Sequence, residues 1–96
     1  MTYSVELAKS ADKFLTKLSR AQPKDVAAIE DAIEDLADDP RPSNCKPLAG
    51  YRNVWRIRVG GYRICYTVDD GKVVVLVVAI GTRDDVYAVL KRYLER

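Results

Sequence analysis

Trp55 to Tyr66 reads WRIRVGGYRICY, and the reading of this stretch decides the fold. Apolar residues alternate with Arg56, Arg58 and Arg63 on the two sides of Gly60-Gly61. A period of two marks a strand with one buried face, and a Gly-Gly pair between two such runs marks a tight hairpin turn. With two residues in the turn, Val59 pairs with Tyr62, Arg58 with Arg63, Ile57 with Ile64 and Arg56 with Cys65. Trp55, Ile57, Val59, Tyr62, Ile64 and Tyr66 then face a core, and the three arginines face away. Arg58 and Arg63 stand directly opposed with Cβ atoms about 5 Å apart, a like-charge pair costing a few tenths of a kcal/mol. Arginine cannot relieve the repulsion by losing its proton, so an anion held between the two is the natural remedy.

Working outward, Asp69 to Gly71 (DDG) reads as a second hairpin turn, and Val73 to Ile80 (VVVLVVAI) as a third strand without a polar face, covered on both sides. With Asp70-Gly71 as its two-residue loop, Val68 pairs with Val73, Tyr66 with Val75 and Tyr62 with Ala79. The third strand thus carries Gly81 to Arg83 back towards Arg58 and Arg63. Upstream, Thr2 to Leu7 alternates and reads as a first strand. Ser10 is the expected N-cap of a helix with Ala11, Phe14, Leu15 and Leu18 at helical spacing. Pro23 to Asp38 reads as a second helix, with Val26, Ile29, Ile33 and Leu36 as its stripe and Pro40 as its stop. Asp38 to Gly50 is rich in Pro, Ser and Asn and reads as a loop. The tail reads as a helix from about Arg83, with Val86, Val89, Leu90 and Tyr93 as its stripe. Tyr87 lies at the stripe's edge and shares a face with Arg83.

The expected fold is therefore α+β. It runs as an N-terminal strand, a two-helix hairpin, a three-stranded antiparallel meander and a C-terminal helix, in one domain spanning residues 1–96. The helical hairpin packs on an antiparallel sheet.

Composition narrows the function. The 96 residues carry a net charge of +2, with 48% hydrophobic and 31% charged residues, a normal globular mix. There is no histidine, which removes the usual general base and the usual metal ligand and leaves neither a metal nor any other cofactor expected. Cys45 and Cys65 are expected as free thiols without a chemical role. No targeting segment is evident and the longest apolar run is too short to span a bilayer, so a cytoplasmic protein with no membrane partner is expected. Charge is uneven, with a net of −4 over residues 1–40 and +6 over residues 41–96. Between Arg41 and Arg63 there are six basic residues and no acidic one. That asymmetry fits a surface facing a polyanion, and equally a basic sheet face that is simply solvated.

Arg56, Arg58, Arg63, Arg83 and Tyr87 form the candidate constellation. Guanidinium forks match phosphate oxygens, and a tyrosine ring beside them stacks on an unpaired base for about 1–3 kcal/mol. Preorganised positive charge stabilises a phosphorane-like transition state. The pattern fits single-stranded RNA, bound and cut, because the substrate's own 2′-hydroxyl serves as nucleophile. The competing reading is a solvated face without a ligand.

At these residues the chain resembles the toxin subunits of the RelE/ParE superfamily. The shared pattern runs from a basic strand through a Gly turn, Tyr-Arg, an acidic-Gly turn and an all-apolar strand to Gly-x-Arg and a later Tyr. The CKPLAG segment, Cys45 to Gly50, is similar to the family's lysine-leucine-glycine loop. The RelE branch fits best, and it implies an mRNA interferase that cuts mRNA in the ribosomal A site through 2′-hydroxyl attack. By motif, Arg56 and Arg58 stand where RelE has lysines implicated as base and in charge stabilisation. Arg63 matches the arginine that holds the phosphate, Arg83 the one implicated in leaving-group protonation, and Tyr87 the tyrosine that orients a base. Lys46 and Arg52 join them as expected RNA contacts. Arginine accepts a proton poorly, Thr82 replaces a residue that is often basic, and the lack of histidine excludes the Glu/His mechanism of the YoeB-like branch. The resemblance also implies a RelB-like antitoxin, with Leu90, Tyr93 and Leu94 as candidate contacts or as plain internal packing. Two other readings stand beside the interferase: a ParE-like DNA gyrase inhibitor, and a catalytically weak relative acting as an antitoxin-bound repressor component.

Overall fold

The hairpin forms as the alternation requires. In the computed structural model, which describes residues 2–82 and 85–95, β3 (Val54–Val59) and β4 (Tyr62–Asp69) pair antiparallel about Gly60-Gly61. Val59 meets Tyr62, Arg58 meets Arg63, Ile57 meets Ile64 and Arg56 meets Cys65, the expected register. Gly60 takes φ +58, the left-handed conformation that favours glycine in such a turn.

The other elements are β1 (Ser4–Leu7), α1 (Lys9–Ala21), α2 (Pro23–Asp38), β2 (Lys46–Pro47), β5 (Val74–Thr82) and α3 (Asp85–Leu94). The five strands form one sheet in the order β1-β5-β4-β3-β2. The sheet is mixed rather than purely antiparallel, because β1 lies parallel to β5, with Val5 beside Val75 and Leu7 beside Val77. The α1–α2 hairpin is the crossover that makes this possible. The loop before β3 also contributes a short strand, with Lys46 paired to Arg56.

Each face of the sheet has its own core. Ala11 and Leu15 of α1 and Val26, Ile29, Ile33 and Leu36 of α2 pack on Ile57, Ile64, Tyr66, Val68, Val75, Val77 and Ile80. The buried Tyr66 hydroxyl donates to the Pro40 carbonyl at 2.7 Å, so its one polar atom is satisfied. On the other face α3 lays Val86 and Leu90 over Val54, Cys65, Val78 and Ala79. α2 ends where expected: Asp39 is extended at φ −140, as the residue before Pro40 should be.

Two further expectations are corrected. The Asp69–Gly71 turn is not a two-residue loop. Asp69 pairs with Val74, four residues lie between, and Val68 meets Val75 and Tyr66 meets Val77. The longer loop is held by tertiary contacts: Arg41 pairs with Asp70 at 2.9 Å, and the Tyr3 hydroxyl donates to Asp70 at 2.7 Å. Within the loop, the Lys72 amide donates to Asp69 at 2.9 Å, and Val73 takes φ +59. A slip of two residues preserves the faces. A β-bulge opposite Cys65 and Tyr66 then adds one residue to β5, so Tyr62 meets Thr82 rather than Ala79.

The second correction lies at the start of α1. Ser10 lies inside α1, and Ala8 occupies the cap without a side-chain bond. The Ser10 hydroxyl instead donates at 2.9 Å to the carbonyl of Val78, at the bulge and beyond the end of β1. No described helix is long and apolar enough to cross a membrane.

Candidate nucleic-acid interface

The sheet register lays out the basic residues in two rows on the face opposite the helical hairpin. Directly paired residues project to the same side. One row runs Lys46, Arg56, Cys65 and Ala79, and the other runs Arg58, Arg63 and Gly81. α3 packs mainly on β5 and β4 of this face and reaches Val54 at the start of β3, so the arginines stand at the margin of its apolar footprint.

Arg56 and Arg63 are half-buried, and Arg58 is exposed. Arg56 Nη1 donates to the Tyr87 hydroxyl at 3.2 Å, which fixes the α3 tyrosine beside the strand arginine. The Nε atoms of Arg56 and Arg63 are buried and have no hydrogen-bond partner among the described residues. Buried donors without a partner are rare in native proteins. Neither ion pair among the described residues involves Arg56, Arg58 or Arg63. Arg41, by contrast, is committed elsewhere. It pairs with Asp70 and lies 5.4 Å from the Trp55 ring centroid, on the helical-hairpin side of the sheet.

At the Gly60-Gly61 end the face opens into a hollow of about 590 Å³ lined by Arg58, Gly60, Gly61, Arg63, Thr82 and Asp85. The hairpin end that shapes it is tied down from behind. The Tyr62 hydroxyl donates to Asp25 of α2 at 2.7 Å, and its ring meets Phe14 of α1 edge-on at 6.2 Å. That bond holds the Tyr62 phenol above its ordinary pKa. Beneath Arg56, burial pushes the Cys65 thiol up to about 11, which makes it a packing residue at neutral pH. Cys45 and Cys65 are both free.

The structure thus brings together Arg56, Arg58, Arg63 and Tyr87, with Lys46 opposite Arg56. Arg52 is exposed in the loop before β3. Arg83 lies outside the described residues, as does the expected start of the tail helix there; α3 is described from Asp85. Leu90 of α3 is fully buried against the sheet, Tyr93 is half-buried against the same cluster, and Leu94 is 37% exposed. Asp85, which enters the hollow as its acidic member, is the residue of the site that sequence reasoning missed. Gly81 lies beside the arginines as expected, and it also sits under the first turn of α3, where a β-carbon would lie 3.3 Å from Val86 Cβ.

Known proteins share this fold. The family described as ParE toxin of type II toxin-antitoxin system, parDE, matches residues 5–87. A RelE-like toxin protein of Escherichia coli is 32% identical over 91 residues, covering 91% of this chain and 92% of that protein. The free-state structure of an E. coli RelE toxin mutant superposes with a TM-score of 0.78 at 27% identity, covering 100% of this chain and 98% of that one. The toxin–antitoxin complex RelBE2 of Mycobacterium tuberculosis gives a TM-score of 0.72 at 30% identity, covering 86% and 100%.

Proposed function

Because the chain belongs to the ParE toxin family of type II toxin–antitoxin systems, we propose that its arginine face binds mRNA and that the protein is a RelE-like endoribonuclease. The observation that carries this reading is the cluster of Arg56, Arg58 and Arg63 on one sheet face, outside both ion pairs among the described residues and beside the Arg56–Tyr87 contact. Guanidiniums without carboxylate partners suit a phosphate, and a tyrosine held alongside suits an unpaired base.

In the proposed reaction the RNA is cut in the ribosomal A site. Arg58 and Arg63 hold the scissile phosphate, Tyr87 stacks on and orients a neighbouring base, and Arg56 adds positive charge while fixing Tyr87. The substrate's 2′-hydroxyl attacks the adjacent phosphorus, giving a 2′,3′-cyclic phosphate and a 5′-hydroxyl end. Positioning and charge stabilisation are the main things the protein supplies. Arg83 is assigned to the leaving oxygen by its motif alone. Lys46 and Arg52 extend the basic track.

The proposed partner in the cell is a RelB-like antitoxin, as in the complex from M. tuberculosis. Tyr93 and Leu94 on α3 are candidates for its contact, and Leu90 becomes one only where the antitoxin displaces α3. A gyrase-directed activity is the alternative that the family's ParE description keeps in view. Incubation with programmed ribosomes, with the same mRNA alone, and with gyrase and supercoiled DNA separates the readings. New 5′-hydroxyl RNA ends only in the ribosome tube are expected; gyrase-linked DNA breaks without RNA cleavage would refute the proposal.

A further inference from the structure

The hollow at the Gly60-Gly61 end contains a side chain that an anion site should exclude. Asp85 lines it together with Arg58 and Arg63. A carboxylate in the first turn of a helix stabilises that helix by about 0.3–1 kcal/mol, which accounts for an acid at the start of α3. It does not account for an acid that shares a cavity with two arginines meant for phosphate and forms no ion pair with either.

The chemistry of the face supplies a reason. Cyclisation at the 2′-oxygen requires a proton acceptor. Arg56, Arg58 and Arg63 cannot be deprotonated in a protein. There is no histidine, and Cys65 is buried beneath Arg56 with its thiol pushed up to about 11. The Tyr87 hydroxyl is already engaged by Arg56. Among the described residues that line the hollow, Asp85 is the one carboxylate, and it shares that hollow with Arg58 and Arg63.

Building on the ribonuclease reading above, we propose that Asp85 takes the proton of the attacking 2′-hydroxyl. The O–H bond gives its proton to the Asp85 carboxylate as the 2′-oxygen bonds to phosphorus. The phosphorus–O5′ bond breaks with its electron pair going to the 5′-oxygen, and that oxygen takes a proton from solvent. Arg58 and Arg63 neutralise the charge that builds on the phosphoryl oxygens between these events. Asp85 then returns its proton to water.

Single-turnover cleavage of A-site mRNA at saturating toxin tests this, using the full chain on programmed ribosomes. Asp85→Asn keeps the size and shape of the side chain but removes the carboxylate that would accept the proton. It should slow cleavage about 10²–10⁴-fold, the usual contribution of a positioned acid or base, while RNA affinity holds or tightens. Asp85→Glu should retain part of the rate, and added formate should recover part of it in Asp85→Ala. Recovery by formate is a readout that a purely structural role would not move. Lys46→Arg runs beside these, because Lys46 opposite Arg56 is the other side chain on this face able to exchange a proton. Parental cleavage by Asp85→Asn, loss in Asp85→Ala that formate does not touch, or loss confined to Lys46→Arg would each overturn the assignment of Asp85 and leave the ribonuclease reading intact. A parent protein that cleaves no RNA would remove both.

Discussion

Gly81 lies opposite Arg63 in the β4–β5 ladder and directly under Val86 of α3, where a β-carbon would approach Val86 Cα and N to 3.4 Å. One glycine therefore sets how closely the helix that carries Tyr87 approaches the strand that carries Arg63. Both neighbouring atoms are backbone, so the contact cannot be relieved by turning a side chain.

Gly81→Ala should accordingly lift the first turn of α3 and lengthen the Arg56–Tyr87 contact. Overpacking of this kind costs about 1–3 kcal/mol, and a urea titration reads it. Cleavage should fall further than the drop in folded fraction explains, because Tyr87 moves with the helix. Unchanged stability together with unchanged cleavage would mean that α3 adjusts freely at this point.

Arg58 and Arg63 oppose each other without an acidic partner among the described residues. Arg58→Gln should leave the fold equally stable or a few tenths of a kcal/mol more stable, since a like-charge cross-strand pair is removed. It should weaken binding of a short single-stranded RNA. The slope of log affinity against log salt should fall by about 0.7, because one phosphate fewer is neutralised. A variant that loses stability and keeps the salt slope would show that Arg58 serves the sheet rather than a ligand.

Tyr87 offers a ring and a hydroxyl with separable roles. Tyr87→Phe removes only the acceptor of Arg56 Nη1 and should keep most RNA affinity. Tyr87→Ala also removes the ring and should cost about 1–3 kcal/mol of binding, the usual worth of one stacked base. Equal losses in the two variants, measured by fluorescence anisotropy, would shift the role from the ring to the hydroxyl.

Asp70 predicts an acid limb to stability. The hydrogen bonds from Arg41 and Tyr3 hold its carboxyl below the ordinary range. A carboxyl with a depressed folded pKa binds fewer protons folded than unfolded, so it stabilises above the unfolded value near 3.9. That contribution fades as pH falls through the lower folded value. Asp70→Asn should be less stable than the parent at pH 7, and the gap should narrow below about pH 4. A gap of constant size would mean that the loop is held by shape alone.

The hairpin register was legible because two local signals agree there: period-two alternation and a Gly-Gly turn. α2 was legible to the residue, since Pro23 starts it, Pro40 stops it and its stripe is unbroken. The second turn was not, because its length is set by Arg41 and Tyr3, 29 and 67 residues away in sequence. The bulge in β5 was hidden for a related reason: in a run of Val, Ile and Leu with no polar face, an extra residue leaves the pattern unchanged. Ser10 was misassigned because its partner, the Val78 carbonyl, lies 68 residues away in sequence. Of the site, the arginines and Tyr87 were legible from alternation and motif. Asp85 was not, nor was the packing of Gly81 under Val86, since both depend on where α3 lies.

The central claim is that the arginine face holds the phosphate being cut. The most direct measurement maps 5′-hydroxyl ends of an mRNA on programmed ribosomes, with the parent protein and Arg63→Ala compared at equal folded concentration. The account predicts new ends at A-site codons with the parent, and a loss of at least about 10²-fold with Arg63→Ala, in the range for removing one preorganised donor. New ends of equal yield from both proteins, or none from a parent that still arrests growth, would contradict it.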